Sequence, residues 1–185
     1  MQLDKVIDGR CSVRKFKEKK PKWRDIIKAV DAGRKAPLAG NIPTLKFIIV
    51  SEPILIAKLA EASQQNFIAN APYVVVVCSD ILNTIRSYDE RGRRYAYQQA
   101  GAAIENFLLK ITELGLSTCW VGAFVDEHVK QTLKIPELVQ VEALFPIGYA
   151  MRREKQKIKP GLDRVLRFNY WKQKTMVPEK RVEGY

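Results

Sequence analysis

Apolar residues along this chain recur with two different periods. Tyr73 to Cys78 is an unbroken, β-branched run bounded by Pro72 and by Ser79-Asp80, the pattern of a strand buried on both faces. Phe47 to Ser51, Thr118 to Phe124 and Val141 to Ile147 read as further strands. Between them the spacing changes to three and four, the mark of amphipathic helices. Ile26, Ile27 and Val30 predict a helix over Trp23 to Lys35, with Gly33 near its end. Ser51, Glu52 and Pro53 signal a helix start, followed by Leu55, Ile56 and Leu59 on one face. The longest periodic segment is Ala100, Ala103, Ile104, Phe107, Leu108, Ile111 and Leu114, with Gly115 where a left-handed cap belongs. Small residues from Ala100 to Ala103 would let another backbone approach its start. Asp126 is placed to cap a helix anchored by Val129 and Leu133. Residues 3 to 9 read as a short helix, Arg10 to Lys22 as an extended basic arm, and the stretch from Met151 onward as a basic, aromatic tail without regular period.

No linker, repeat or low-complexity stretch breaks this alternation, which places the fold in the α/β class, or α+β if the sheet is mixed. A chain of 185 residues is expected to form one domain, 1–185, and to bury roughly 70% of its unfolded surface. Asp4, Asp8 and Arg10 interrupt any apolar stretch of signal-peptide length, and the apolar runs fall far short of the ~20 residues that cross a bilayer. The expected location is the cytoplasm, with no membrane partner. Cys11, Cys78 and Cys119 are odd in number and widely spaced, which argues against disulfides and cysteine metal sites.

Lys and Arg number 32 against 20 Asp and Glu, a net charge of +12. The cations lie in three separate stretches, around Lys15 to Arg24, Arg91 to Arg94 and Arg152 to Lys159, and no nucleic-acid-binding motif accompanies them. A phosphate-bearing cofactor satisfies the same sign of charge. His128 is the sole histidine and falls in a helix read as exposed, so histidine-based triads and multi-imidazole zinc sites are excluded together. GxxxxGK[ST] and GxGxxG loops are absent. An enzyme of this composition depends on a bound cofactor for its chemistry.

Four segments carry a resemblance. Arg10-Cys11-Ser12-Val13-Arg14-Lys15-Phe16, then Ala36 to Asn41 with Lys46 to Val50, then Gly101 to Asn106 running on to Leu114 to Gly122, and last Ala143 to Tyr149 resemble, in order and spacing, the FMN-dependent nitroreductase family. Pro43, Thr44 and Leu45 stand where Gln, Pro and Trp are usual, and Cys11 where a basic residue is frequent.

The resemblance implies a mixed β-sheet flanked by helices, an intertwined homodimer with a tail (about 151–185) reaching toward the partner subunit, FMN as cofactor and NADH or NADPH as donor. It implies that Arg10 and Ser12, with Lys157 and Lys159, clamp the FMN phosphate through charge-assisted hydrogen bonds. Arg14 resembles the cation that stabilises reduced flavin. Asn41 and Gln65 resemble the residues at the ring's polar edge. Backbone groups at Pro146, Ile147 and Gly148 resemble the segment beside flavin N5, with Gly148 permitting close approach. Acceptors in such a family include nitroaromatics, quinones, other flavins and enones, and Asn83 to Tyr97 corresponds to the variable segment covering the pocket. The other readings are a flavin-binding protein without turnover and, further off, a basic nucleic-acid-binding module. Cys119 and Trp120 are expected in the core, as is Cys78, whereas cations around Cys11 would favour a thiolate and leave a redox role open there.

Overall fold

The computed structural model describes residues 2–152 and 154–176. Among the described residues four strands form one sheet in the order β1-β2-β4-β3, with β1 at Leu45–Val50, β2 at Tyr73–Ser79, β3 at Ser117–Thr118 and β4 at Gln140–Gly148. All pairings between these strands are antiparallel. The arm adds a parallel bridge, Ser12 to Thr118, so the sheet is mixed only at this edge and the fold is α+β.

The central strand β2 is buried along its whole length, which is why its sequence runs without alternation. Val74, Val76 and Cys78 face α3 (Pro53–Ala62) and α5 (Asp126–Leu133), while Tyr73, Val75 and Val77 face α2 (Trp23–Gly33) and α4 (Leu82–Glu113). On the second face Phe107 of α4 is fully buried. Its ring lies 6.0 Å from that of Phe47 and 5.4 Å, edge-on, from that of Phe145. Burying a side chain of this kind contributes about 1.5–3 kcal/mol, and the edge-on geometry adds to it.

Several element boundaries differ from those the pattern predicts. The long helix starts at Leu82, well before Ala100, and is broken at Asp89 (φ 50, ψ −135). Residues 82 to 98 are too polar to show the apolar period of the remainder. Its end is as expected: Gly115 is left-handed (φ 70), Leu116 N–H donates to the Ile111 carbonyl and Gly115 N–H to that of Thr112, the two bonds of a Schellman cap. Asp126 is the first residue of α5 and does not cap it; Val125 occupies the cap position, as Glu52 does for α3, and neither supplies a side-chain bond. Pro53 does open α3.

The strand expected from Thr118 to Phe124 contracts to two residues, and the cause lies across the sheet. Ser117 faces Gly148, Thr118 faces Ile147, and Val121 bridges Leu144 with bonds in both directions. That constant register sets Cys119 opposite Pro146, which has no N–H to donate. The ladder is interrupted at this pair, Cys119 stays buried, and Trp120 emerges with 44% of its surface exposed. The expectation that Trp120 is core is therefore corrected.

Candidate functional site

The arm that follows α1 (Leu3–Gly9) is tied across the ends of β3 and β4. Val13 N–H donates to the Thr118 carbonyl at 2.9 Å, Lys17 N–H to Tyr149 at 2.8 Å, and Met151 N–H to Lys15 at 2.9 Å. Buried Val13 and Phe16 anchor it against Ala71. With those two side chains inward, Ser12 and Arg14 are exposed and Arg10 is half-buried. Gly148 is where the arm crosses β4: a Cβ built there would lie 2.9 Å from Phe16 Cδ1. The close approach expected at Gly148 is thus made by the Phe16 ring, and Pro146, Ile147 and Gly148 are all buried within the chain.

Residues 154–156 fold back onto the same arm. Gln156 Nε2 donates to the carbonyls of Arg10 (3.2 Å) and Ile7 (3.3 Å), and Cys11 Sγ lies 3.6 Å from the Glu154 carbonyl. Lys157 and Lys159 follow directly and are exposed, without ion pairs among the described residues. Arg10 is loosely partnered, its Nε 3.7 Å from Glu105 Oε1. The Thr118 hydroxyl is buried with no hydrogen-bond partner among the described residues, and together with Arg10, Ser12 and Trp120 it lines a small cavity of about 40 Å³. The Arg10 guanidinium and the Ser12 and Thr118 hydroxyls, the last of them unsatisfied, form a donor set at this cavity that suits a phosphate ester.

Cys11 does not behave as its basic neighbours suggest. Burial, and then the Glu154 carboxylate, push its thiol above the ordinary value, outweighing Arg10. The thiol form is favoured, which corrects the expectation of a thiolate.

Two further corners hold the remaining residues. Arg14 places its guanidinium carbon 5.9 Å from the centroid of the Phe67 ring, and Gln65, two residues earlier, makes a long contact of 3.5 Å to the Ala123 carbonyl. Arg14 thus stacks near Phe67, while the Gln65 side chain is turned toward Ala123. Asn41 lies apart, in a turn where both Gly40 (φ 57) and Asn41 (φ 56) are left-handed. A Cβ on Gly40 would stand 3.2 Å from Tyr88 Cζ, and the left-handed backbone there favours glycine. No hydrogen bond or ion pair among the described residues links Asn41 to the arm.

Sequence reasoning missed Gln99, which grips the Asn41 loop from α4, as well as Phe67 and Gln156. A polar residue on the apolar stripe of α4 was the signal for Gln99; the other two are visible only in three dimensions. His128 is exposed. A cavity of about 830 Å³ lies between α1, α2 and α4, lined by Leu3, Ile27, Ala32 and Leu109. It contains none of the expected site residues, and its lysines are ion-paired with Asp25, Asp31 and Glu113, so it offers no free cation for a phosphate.

Comparison with known proteins bears on this arrangement. The model of the nitroreductase family matches residues 7–149, which include every expected site residue except Lys157 and Lys159. A "Putative nitroreductase" of Methanocaldococcus jannaschii is 40% identical over 87 residues, 47% of this chain and 43% of that protein, so the match spans less than half of that relative. A "Putative NADH dehydrogenase/NAD(P)H nitroreductase" of Archaeoglobus fulgidus is 31% identical over 150 residues, 78% of this chain and 83% of that one. The crystal structure of a protein of the same name from Parabacteroides distasonis superposes with a TM-score of 0.81 at 27% identity, covering 92% of this chain and 99% of the other. The chain belongs to the nitroreductase family and is an enzyme of the oxidoreductase class.

Proposed function

We propose that this chain, as a single FMN-binding domain over 1–185, moves hydride from NADH or NADPH to a small organic acceptor of the nitroaromatic, quinone, flavin or enone type. The observation that carries the reading is the arm, which brings Arg10, Ser12 and the unpartnered Thr118 hydroxyl to one cavity beside the stretch that leads to Lys157 and Lys159. FMN, when bound, supplies the hydride chemistry at N5. The protein's part is to bind and polarise. Arg10, Ser12, Lys157 and Lys159 hold the phosphate. An ion pair as long and exposed as Arg10 with Glu105 is worth little, so a phosphate can take the guanidinium over. Arg14 sets a fixed cation beside the ring edge where reduced flavin gathers negative charge. Asn41 and Gln65 offer amide donors and acceptors to that edge.

The test is retention of colour. The purified wild-type chain should carry FMN absorbance that bleaches on addition of NADH or NADPH, and Arg10→Ala should fold but emerge largely colourless from dialysis. Stoichiometric FMN in Arg10→Ala would show the clamp to be misassigned, and a yellow wild type that no nicotinamide bleaches would point to flavin binding without turnover.

The same reading makes the protein a two-fold homodimer in the cytoplasm. The tail presents Ile158, Leu162, Tyr170 and Trp171 to solvent, from 74% to 99% exposed, and a groove with apolar walls lies open between α1, α2 and α4. Exposed apolar surface on this scale marks an interface. Of the tail, residue 153 and residues 177–185 lie outside the described residues. The three thiols are free, as suits a reducing compartment, and no helix among the described residues is long and apolar enough to cross a membrane. Light scattering should give a dimer, lost together with flavin when the chain is cut before Val165; a flavin-loaded monomer at micromolar concentration would overturn it.

A further inference from the structure

Gln99 is 4% exposed and sits on the apolar stripe of α4, between buried Ala96 and Ala103. Its carboxamide is nonetheless well partnered. Oε1 accepts from the Ala39 N–H at 2.6 Å, while Nε2 donates to Thr44 Oγ1 at 3.0 Å and to the Ile42 carbonyl at 3.4 Å. All three partners belong to one six-residue loop, and they span it from its first residue to its last. Thr44, 1% exposed, is held in turn at β2, where the Asp80 N–H donates to its carbonyl at 2.8 Å.

Between the pinned ends lie Gly40 and Asn41, both at positive φ. Asn tolerates that region better than most residues, but still at a cost. Within the loop only Asn41 N–H to Leu38 (3.3 Å) and Ile42 N–H to Ala39 (3.1 Å) support the turn. A non-glycine residue held at positive φ, as Asn41 is, persists where its surroundings over-determine it, and Gln99 supplies that determination from a rigid helix.

We propose that Gln99 is a positioning residue, whose amide clamps the Ala39–Thr44 loop so that Asn41 is presented to the cofactor in a single conformation. The proposal rests on the reading of Asn41 as a contact of the flavin edge. A glutamine filling space in the core would need partners of any kind; one that fixes a binding loop must couple energetically to the residue on that loop.

The experiment combines amide hydrogen exchange with FMN titration for the wild type, Gln99→Met, Asn41→Ala and the double variant. Methionine keeps the length and volume of glutamine and removes all three bonds. In Gln99→Met the Ala39 amide should exchange about tenfold faster or more, and FMN should bind about tenfold more weakly, the equivalent of one buried hydrogen bond. In the Asn41→Ala background the same change should cost less than about twofold, because the residue being positioned is already gone. Thr44→Val, which removes one clamp partner at constant shape, should move both readouts the same way by less, and it takes the place of Gln99→Met if that variant does not fold. Unchanged exchange at Ala39, or equal loss of FMN affinity with and without Asn41, would overturn the proposal. A wild type that bound no FMN would overturn the functional reading instead, and exchange at Ala39 would still decide the clamp.

Discussion

Gly148→Ala tests whether the arm is held by the contact on which the candidate site depends. The added methyl would lie 2.9 Å from Phe16 Cδ1 and 3.1 Å from both its Cβ and Cγ, so it meets the root of the ring and cannot be relieved by a small rotation at its tip. Phe16 is buried at 6% exposure, and overpacking of this kind typically costs about 1–3 kcal/mol. For a chain of this size that is a fall in Tm of roughly 2–4 °C per kcal/mol. If the clash is the whole cause, removing the ring removes the penalty. Phe16→Ala alone should cost about 3–5 kcal/mol, and Phe16→Ala combined with Gly148→Ala should cost no more than Phe16→Ala to within about 0.5 kcal/mol. Urea unfolding of the four proteins gives the cycle, and FMN titration should show each single variant binding more weakly, because Arg10, Ser12 and Arg14 are carried by the displaced arm. Additive losses in the cycle, or Gly148→Ala at wild-type stability, would refute the argument that Phe16 is what requires glycine here.

Two other outcomes follow from the site and the core. Arg14→Ala should lower the flavin midpoint potential by about 30–60 mV, the two-electron equivalent of losing one charge-assisted hydrogen bond of about 1.5–3 kcal/mol; an unchanged potential in a variant that binds FMN normally would remove Arg14 from its proposed role. Glu142 stands at the irregularity in the β2–β4 register. Burial raises its carboxyl pKa, the Ser79 hydroxyl offsets part of this without forming a well-aligned bond, and Asp126 adds to the rise. With the folded value above the unfolded one, the protonated form is favoured by folding, and its contribution is lost as pH rises through the folded value. Glu142→Gln should therefore melt higher than wild type at pH 7, with the gap closing below the ordinary glutamate range near ~4.3; a gap that persisted at pH 3.5, or had the opposite sign at pH 7, would contradict this.

How far the sequence alone determines this protein varies by element. Tyr73 to Cys78 could only be a strand buried on both faces, and Ile104, Phe107, Leu108 and Ile111 only one stripe of a helix, because each periodicity records a local backbone geometry. The Gly115 cap was legible for the same reason. The segments Arg10 to Phe16, Ala36 to Asn41 and Ala143 to Tyr149 were legible, through the order and spacing of their motifs, as marks of the family. The start of α4 was not, since Leu82 to Gln98 packs with too few apolar residues to show a period, nor was the break of β3, since a proline on β4 removes a bond from a strand more than twenty residues away in sequence. Trp120 is exposed and Gly148 is tied to Phe16 for reasons that exist only where β3, β4 and the arm meet. The Cys11 thiol shows the limit most directly: its neighbours in sequence are cations, but its neighbours in space are apolar atoms and the Glu154 carboxylate. Charge acts through distance and burial, and only the tertiary structure sets either.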